Sequence, residues 1–159
     1  MSDDRLLSPI HNFRFQIDFT EDPLTSGQGG GDVALCSGAF SECTGLEATM
    51  EPKVIKEGGR NYGPAQRAGP VTFATVILKR GVTTTRHLWK WFELLTIGAG
   101  YAYRLSATIT VHDWAGKKVL AWKLEKAMPI KFKAGDLNAK GTDVAIEELH
   151  LAHEGLSLV

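Results

Sequence analysis

The residue types that do chemistry are present in this chain, but their spacing keeps them apart. Of five histidines, His11, His87, His112, His150 and His153, only the last two are close together. Three positions apart on a strand they face opposite ways, which is wrong for ligating one metal ion. Glu147-Glu148 offers two carboxylates, yet adjacent strand residues diverge and cannot act on one substrate as acid and base. Ser37, Ser41 and Ser106 lack the glycine pattern of a nucleophile elbow. The run Ser26-Gly27-Gln28-Gly29-Gly30-Gly31-Asp32 invites comparison with a phosphate cradle. It has neither the Gly-Lys-Ser/Thr ending nor the strand–loop–helix setting of one. Cys36 and Cys43 are an odd number of positions apart, on opposite faces of a continuous strand, and read as free buried thiols. No set of residues makes a catalytic, metal or cofactor site, so the expected function is not enzymatic.

What remains is a set of charged and aromatic residues suited to contacts. Lys79 and Arg80 end a strand, where two cations either meet an anion or face solvent. Gly81 follows them at a place where a positive φ is expected. Trp91 sits on an apolar helical stripe and is expected to anchor the helix; Trp89 falls off that stripe and is available to a neighbouring subunit or to the flank of the same core. Glu147, Glu148 and Glu154 near the last strand complete the structural and interface candidates. A different reading makes Trp89, Trp91, Trp114 and Trp122 the lining of a small-ligand pocket in a β-barrel, which requires them to converge.

With 159 residues the chain is long enough for one domain, spanning 1–159, with a sizeable core. Eighteen basic residues balance eighteen acidic ones, so no sequence-wide field favours nucleic acid or an anionic membrane. No apolar run approaches the ~20 residues of a membrane span, and the N-terminal residues lack the features of a signal peptide. Assembly in the cytoplasm is the expectation.

The period of the apolar residues is mostly two. Phe13, Phe15, Ile17 and Phe19 alternate with Arg14, Gln16 and Asp18, as do Leu105, Ala107, Ile109 and Val111 with Ser106, Thr108 and Thr110. Asp113-Trp114-Ala115-Gly116 turns the second strand back through Leu120, Trp122 and Leu124. A flexible loop is expected over about 20–32, ordering on contact with another molecule, and a turn over 57–64. Val71 to Leu78, dense in β-branched residues, reads as one strand buried on both faces, and a separate strand is expected after Pro129. The last strand has a phase break. Val144 and Ile146 are even-numbered, Leu149 and Leu151 odd, which calls for a bulge near Glu147-Glu148 or a partner on both faces. The period changes to 3.6 only between Thr85 and Ile97, where Leu88, Trp91, Phe92 and Leu95 share a face; Thr83, Thr84 or Thr85 would cap its start and Gly98 its end. The fold class is mainly β with one short α-helix.

Six segments in order carry a family resemblance. They are Phe40-Ser41-Glu42-Cys43-Thr44-Gly45-Leu46-Glu47, Glu57-Gly58-Gly59-Arg60-Asn61, Leu78-Lys79-Arg80-Gly81, Leu88-Trp89-Lys90-Trp91, Ala127-Met128-Pro129-Ile130-Lys131 and the ending from Ala145 to Leu156. Together they resemble the tail tube proteins of contractile phages and phage-like injection systems, over nearly the whole chain. The resemblance implies a barrel or sandwich of antiparallel strands with a flanking helix, similar to the tube protein of type VI secretion. It also implies six-membered rings stacked into a hollow tube that can hold cargo, with sheath and baseplate or spike proteins as partners. No cofactor, membrane insertion or sequence-specific nucleic-acid contact is implied. Arg67-Ala68-Gly69-Pro70 stands where many main tube proteins have Leu-Pro-Gly, so a tube-initiating paralogue at the baseplate remains an alternative.

Overall fold

Alternation in two segments some ninety residues apart sets the architecture. In the computed structural model, which describes residues 14–22, 40–82, 87–96 and 104–159, these segments become neighbouring strands. In chain order the elements are β1 (Arg14–Asp22), β2 (Glu42–Thr44), β3 (Ala48–Met50), β4 (Lys53–Ile55), β5 (Ala65–Arg67), β6 (Val71–Phe73), β7 (Val76–Gly81), α1 (His87–Thr96), β8 (Arg104–His112), β9 (Lys118–Lys133), β10 (Ile146–Ala152) and β11 (Gly155–Leu158). β1 pairs antiparallel with β8 in a register that sets Ile17 opposite Ile109 and Phe19 opposite Ala107. All four of these side chains are buried, because matching the apolar faces takes both sets out of water together.

Among the described residues the strand order β1-β8-β9-β10-β7-β2 is open at both ends, with β11 also paired to β9. These strands form an antiparallel sandwich, with no closed barrel among the described residues. The long strand β9 belongs to both layers. Its first part pairs with β8 and β11, its last with β10. The transition falls at Lys126, the only non-glycine residue with a positive φ (49°) among the described residues. β8 pairs with β9 on either side of that point, as Leu105 with Ala127 and Ala107 with Leu124, so the register shifts there. The left-handed residue bends the strand from one layer to the next. Between the layers lies a core of Ile17, Phe19, Val76, Leu78, Leu105, Leu124, Leu149 and Leu151, joined by Leu88 and Trp91 from α1.

From β2 the chain leaves the sandwich as a narrow arm. β3 pairs with β6 and β4 with β5, each a two-stranded ladder, and most of the arm's side chains are exposed. Two glycines permit its path. Gly45 has φ +90°, and a Cβ there would lie 2.1 Å from the Thr75 carbonyl oxygen. At Gly69 a Cβ would lie 1.8 Å from the Glu51 carbonyl oxygen. The expected turn is present at the arm's tip, with bonded turns at 58–59 and 61–62.

Four expectations need correction. Val71 to Leu78 is not one doubly buried strand: it breaks at Ala74-Thr75 into exposed β6 and half-buried β7. β-branched residues suit a pleated surface whether or not it is covered, so their density could not locate the break. The strand expected after Pro129 is the continuation of β9. No bulge lies at Glu147-Glu148; the irregularity is opposite His150/Leu151, where β9 passes from Lys131 to Pro129 with Ile130 unmatched. Finally, the chain's last stretch is two strands, β10 and β11, hinged at His153-Glu154.

Candidate assembly surfaces

Four of the sequence-derived candidates, Lys79, Arg80, Glu147 and Glu148, fall on the two faces of one four-stranded layer, β9-β10-β7-β2. On its inner face, Arg80 lies opposite Glu147 in the β7–β10 register. The Arg80 Nε donates to Glu147 Oε1. Their side chains are only 11% and 9% exposed, so each charge depends on the other for its solvation. The Arg80 guanidinium also lies 5.6 Å above the centre of the Phe40 ring, a cation–π contact. Its Nη2 is buried without an acceptor. Glu147 occupies the position that an alternating strand reserves for a core residue, in line with Leu149 and Leu151.

The outer face holds a row of charges. The pairing registers set Glu42 beside Lys79, Lys79 beside Glu148, and Glu148 beside Lys133. Directly opposed residues point to the same face, so the four lie in line across the layer. The Lys79 ammonium is 3.5 Å from a Glu42 oxygen and 3.6 Å from Glu148. His150, one pleat along, places Nε2 3.4 Å from Glu148 Oε2. That hydrogen bond, then the Lys79 and Lys133 charges, holds the Glu148 carboxyl below its ordinary range. Glu147 and Glu148 therefore diverge as adjacent strand residues must, into one buried pair and one solvated network.

The remaining candidates separate. Gly81 shows no positive φ, and a Cβ on it would only touch Val144 Cγ1 at 3.8 Å. The expected glycine requirement there is not found, because Gly81 is an ordinary strand residue paired with Ile146. Trp91 is 4% exposed and meets Phe19 edge-on, the ring centres 5.3 Å apart. Trp89, 41% exposed, lies against Phe92 and Phe132, so it covers the flank of its own core while keeping one face open. Glu154 pairs with Lys126 at 3.6 Å on the surface.

The four tryptophans do not converge as a ligand pocket would require. Trp114 is 74% exposed in the β8–β9 turn. Trp122 alone lines a cavity of about 450 Å³, with Phe15, Leu46 and Val111. Cys43 lines the same cavity; it is a free thiol whose pKa burial pushes up to about 11. A second cavity of about 440 Å³ has the row Glu42, Lys79, Glu148 and Lys133 as its floor and the segment from Gly135 to Ile146 as its wall.

Several expectations lie outside the described residues: the loop from residue 23, Cys36, Ser37, His11, the caps Thr83, Thr84, Thr85 and Gly98, and the side chains of His87 and Leu95. Among the described residues no group of three potential ligands could hold a metal ion. No helix there is long and apolar enough to cross a membrane. Sequence reasoning named Arg80 and Glu147 separately and missed their pairing. The one available signal was Glu147 in phase with Leu149 and Leu151, which marks a carboxylate in need of a buried cation.

Comparison with solved structures places this fold. The chain superposes with a TM-score of 0.78 on a chain of the cryo-EM structure of the anti-feeding prophage baseplate, 6-fold symmetrised, at 24% identity, with 97% of both chains covered. A chain of the PVC extracellular contractile injection system, in its extended sheath-tube complex, gives 0.76 at 18% identity, covering 100% of this chain and 98% of that one. A chain of the anti-feeding prophage cap also gives 0.76, at 16% identity, with 100% and 99% covered. Comparison with curated proteins gave no match. The family model for the T4-like virus tail tube protein gp19 matches residues 11–157, nearly the full chain. The chain belongs to that tail tube protein family.

Proposed function

We propose that this chain is the repeating protomer of the inner tube of a contractile injection system or phage tail, forming six-membered rings that stack into a hollow tube inside a sheath. The observation that carries this reading is the family match from residue 11 to 157, which leaves no room for a separate catalytic domain within the chain. Two physical features support it. Val82, Val144 and Ile146 are exposed apolar residues at the adjoining ends of β7 and β10. The arm of β3 to β6 is a pair of two-stranded ladders with little core of its own, a form that is marginal alone in water and gains stability against a neighbour. The role is mechanical: the chain supplies walls, and its partners are further copies, a sheath protein and baseplate or spike proteins, with cargo in the bore.

Negative-stain microscopy of the purified chain, alone and with its sheath protein, tests this. Rings, and tubes built of them, are expected; a chain that stays monomeric at high concentration with those partners overturns it. A second reading, the tube-initiating paralogue, is favoured by the similarity to a baseplate chain. An initiator would form single rings and require another tube protein to elongate, whereas the repeating protomer elongates alone.

A further inference from the structure

The segment that joins β9 to β10, residues 134–145, is a loop closed at its base. Gly135 has φ +84°, and a Cβ on it would clash with the Ile146 carbonyl oxygen, so the two ends of the loop lie side by side. Farther along, the Asn138 carbonyl accepts from the Gly141 N–H at 3.1 Å, and Asn138 Oδ1 accepts from the Lys140 N–H at 3.0 Å. Compact loops with closed ends are frequently functional. Leu137 stands just before this turn and is 92% exposed. One exposed leucine is ordinary by itself. This one projects from a braced loop, and the same chain carries an open apolar cleft.

The cleft is the cavity of about 450 Å³ beside Trp122. Phe15, Val111, Leu120 and Trp122 line one lip, from β1, β8 and β9; Cys43 and Leu46 line the other. Phe15, Cys43, Leu46 and Trp122 pack against the core but are only partly buried, so the cleft opens to solvent. Each lip carries charge. One residue beyond the Phe15–Val111–Leu120 row, Arg14 lies opposite His112 and His112 opposite Lys118. Glu42, its side chain 50% exposed, stands on the other lip. The loop has the opposite signs on either side of its leucine: Asp136 before it and Lys140 after it, both exposed.

We propose that Leu137 of one copy seats in the cleft of a second copy, with Asp136 against the Arg14–Lys118 lip and Lys140 against the Glu42 lip. This inference rests on the reading of the chain as a tube protomer and names a contact between its copies. Leu137 does not fill the cleft of its own copy, because its side chain is in solvent there. A knob and a hole on different parts of one surface make a heterologous contact, the kind that closes a ring or continues as a stack. Apolar burial supplies the attraction, and the opposed charges set the orientation. Tyr62, at the tip of the arm, is 99% exposed, but it would carry a hydroxyl into an apolar cleft.

The test measures the concentration needed for half-maximal assembly at low salt, by light scattering. Leu137→Ala is expected to raise it about tenfold. Asp136→Lys and Lys118→Glu are each expected to raise it about fivefold, and the double variant to restore it, which two unrelated surface charges would not do. Cys43→Met extends a flexible apolar chain into the cleft. It is expected to raise the concentration as well, and Leu137→Ala added to it to change little further. The melting temperature of each monomer verifies that the fold is kept. Assembly of Leu137→Ala at the unmodified concentration overturns the seat and leaves the tube reading intact, as does a double reversal no better than its single variants. Failure of the unmodified protein to assemble overturns both.

Discussion

Arg80 and Glu147 show how much can depend on one buried contact. Neither side chain has water to fall back on, so removing one partner strands the other charge. Arg80→Met or Glu147→Leu alone is expected to lower stability by about 3–5 kcal/mol. The double variant should recover much of that loss, because two apolar side chains suit the site better than one orphan charge. Denaturant melts of the three variants check this through the coupling energy. Trp91 is simpler, since its ring fills the core against Phe19. Trp91→Ala should cost about 3–5 kcal/mol, read as a marked drop in melting temperature. Glu148 belongs to the solvent side and acts through pH. Its folded-state pKa is depressed, first by His150, so its contribution is present above the ordinary carboxylate value of 4.5 and is lost as pH falls through the lowered value. Glu148→Gln should therefore flatten the loss of melting temperature below about pH 4.5 and change little of the slope above it.

At the scale of elements, the arm is the part that the protomer needs least. Its ladders bury few side chains, so replacing residues 53–67 with a two-residue turn should leave the melting temperature of the protomer nearly unchanged. The same change should shorten or abolish tubes, which microscopy beside calorimetry would show; a collapse of the melting temperature would instead make the arm part of the fold. Legibility in the sequence followed how local each signal was. β1 and β8 alternate strictly, so their faces could be read directly from Phe15 to Phe19 and from Leu105 to Val111. α1 was legible for the same reason, through Leu88, Trp91 and Phe92. β9 was read as two strands because Pro129 resembles punctuation; a proline on an unpaired edge leaves a strand intact. The break between β6 and β7 depends on the close approach of Gly45 to Thr75, a contact across thirty residues that periodicity cannot register. The charged row was illegible for a related reason: Glu42, Lys79, Glu148 and Lys133 are brought together only by register.

At the scale of the whole molecule, the glycine-rich segment 26–31, expected from its sequence to be a loop, is the remaining proposal about stacking. Replacing residues 26–31 with a two-residue turn should keep the protomer folded and the rings intact while weakening the contact of ring on ring. Tube length by microscopy, beside the melting temperature, checks it; full-length tubes would make the loop a spacer. The strand order carries one more consequence, for synthesis. β10 lies between β7 and β9, yet it is translated after both. Until β10 docks, β7 and β9 have open backbone edges and no strand between them. That is the period when a nascent chain is most prone to pair with a stranger. Lys79, Arg80, Lys131 and Lys133 stand on those two strands, charged residues of the kind that discourage an open edge from pairing with another chain. The arrival of Glu147 and Glu148 on β10 then pairs Arg80 and Lys79, so the same carboxylates that complete the sheet also remove half of that charge.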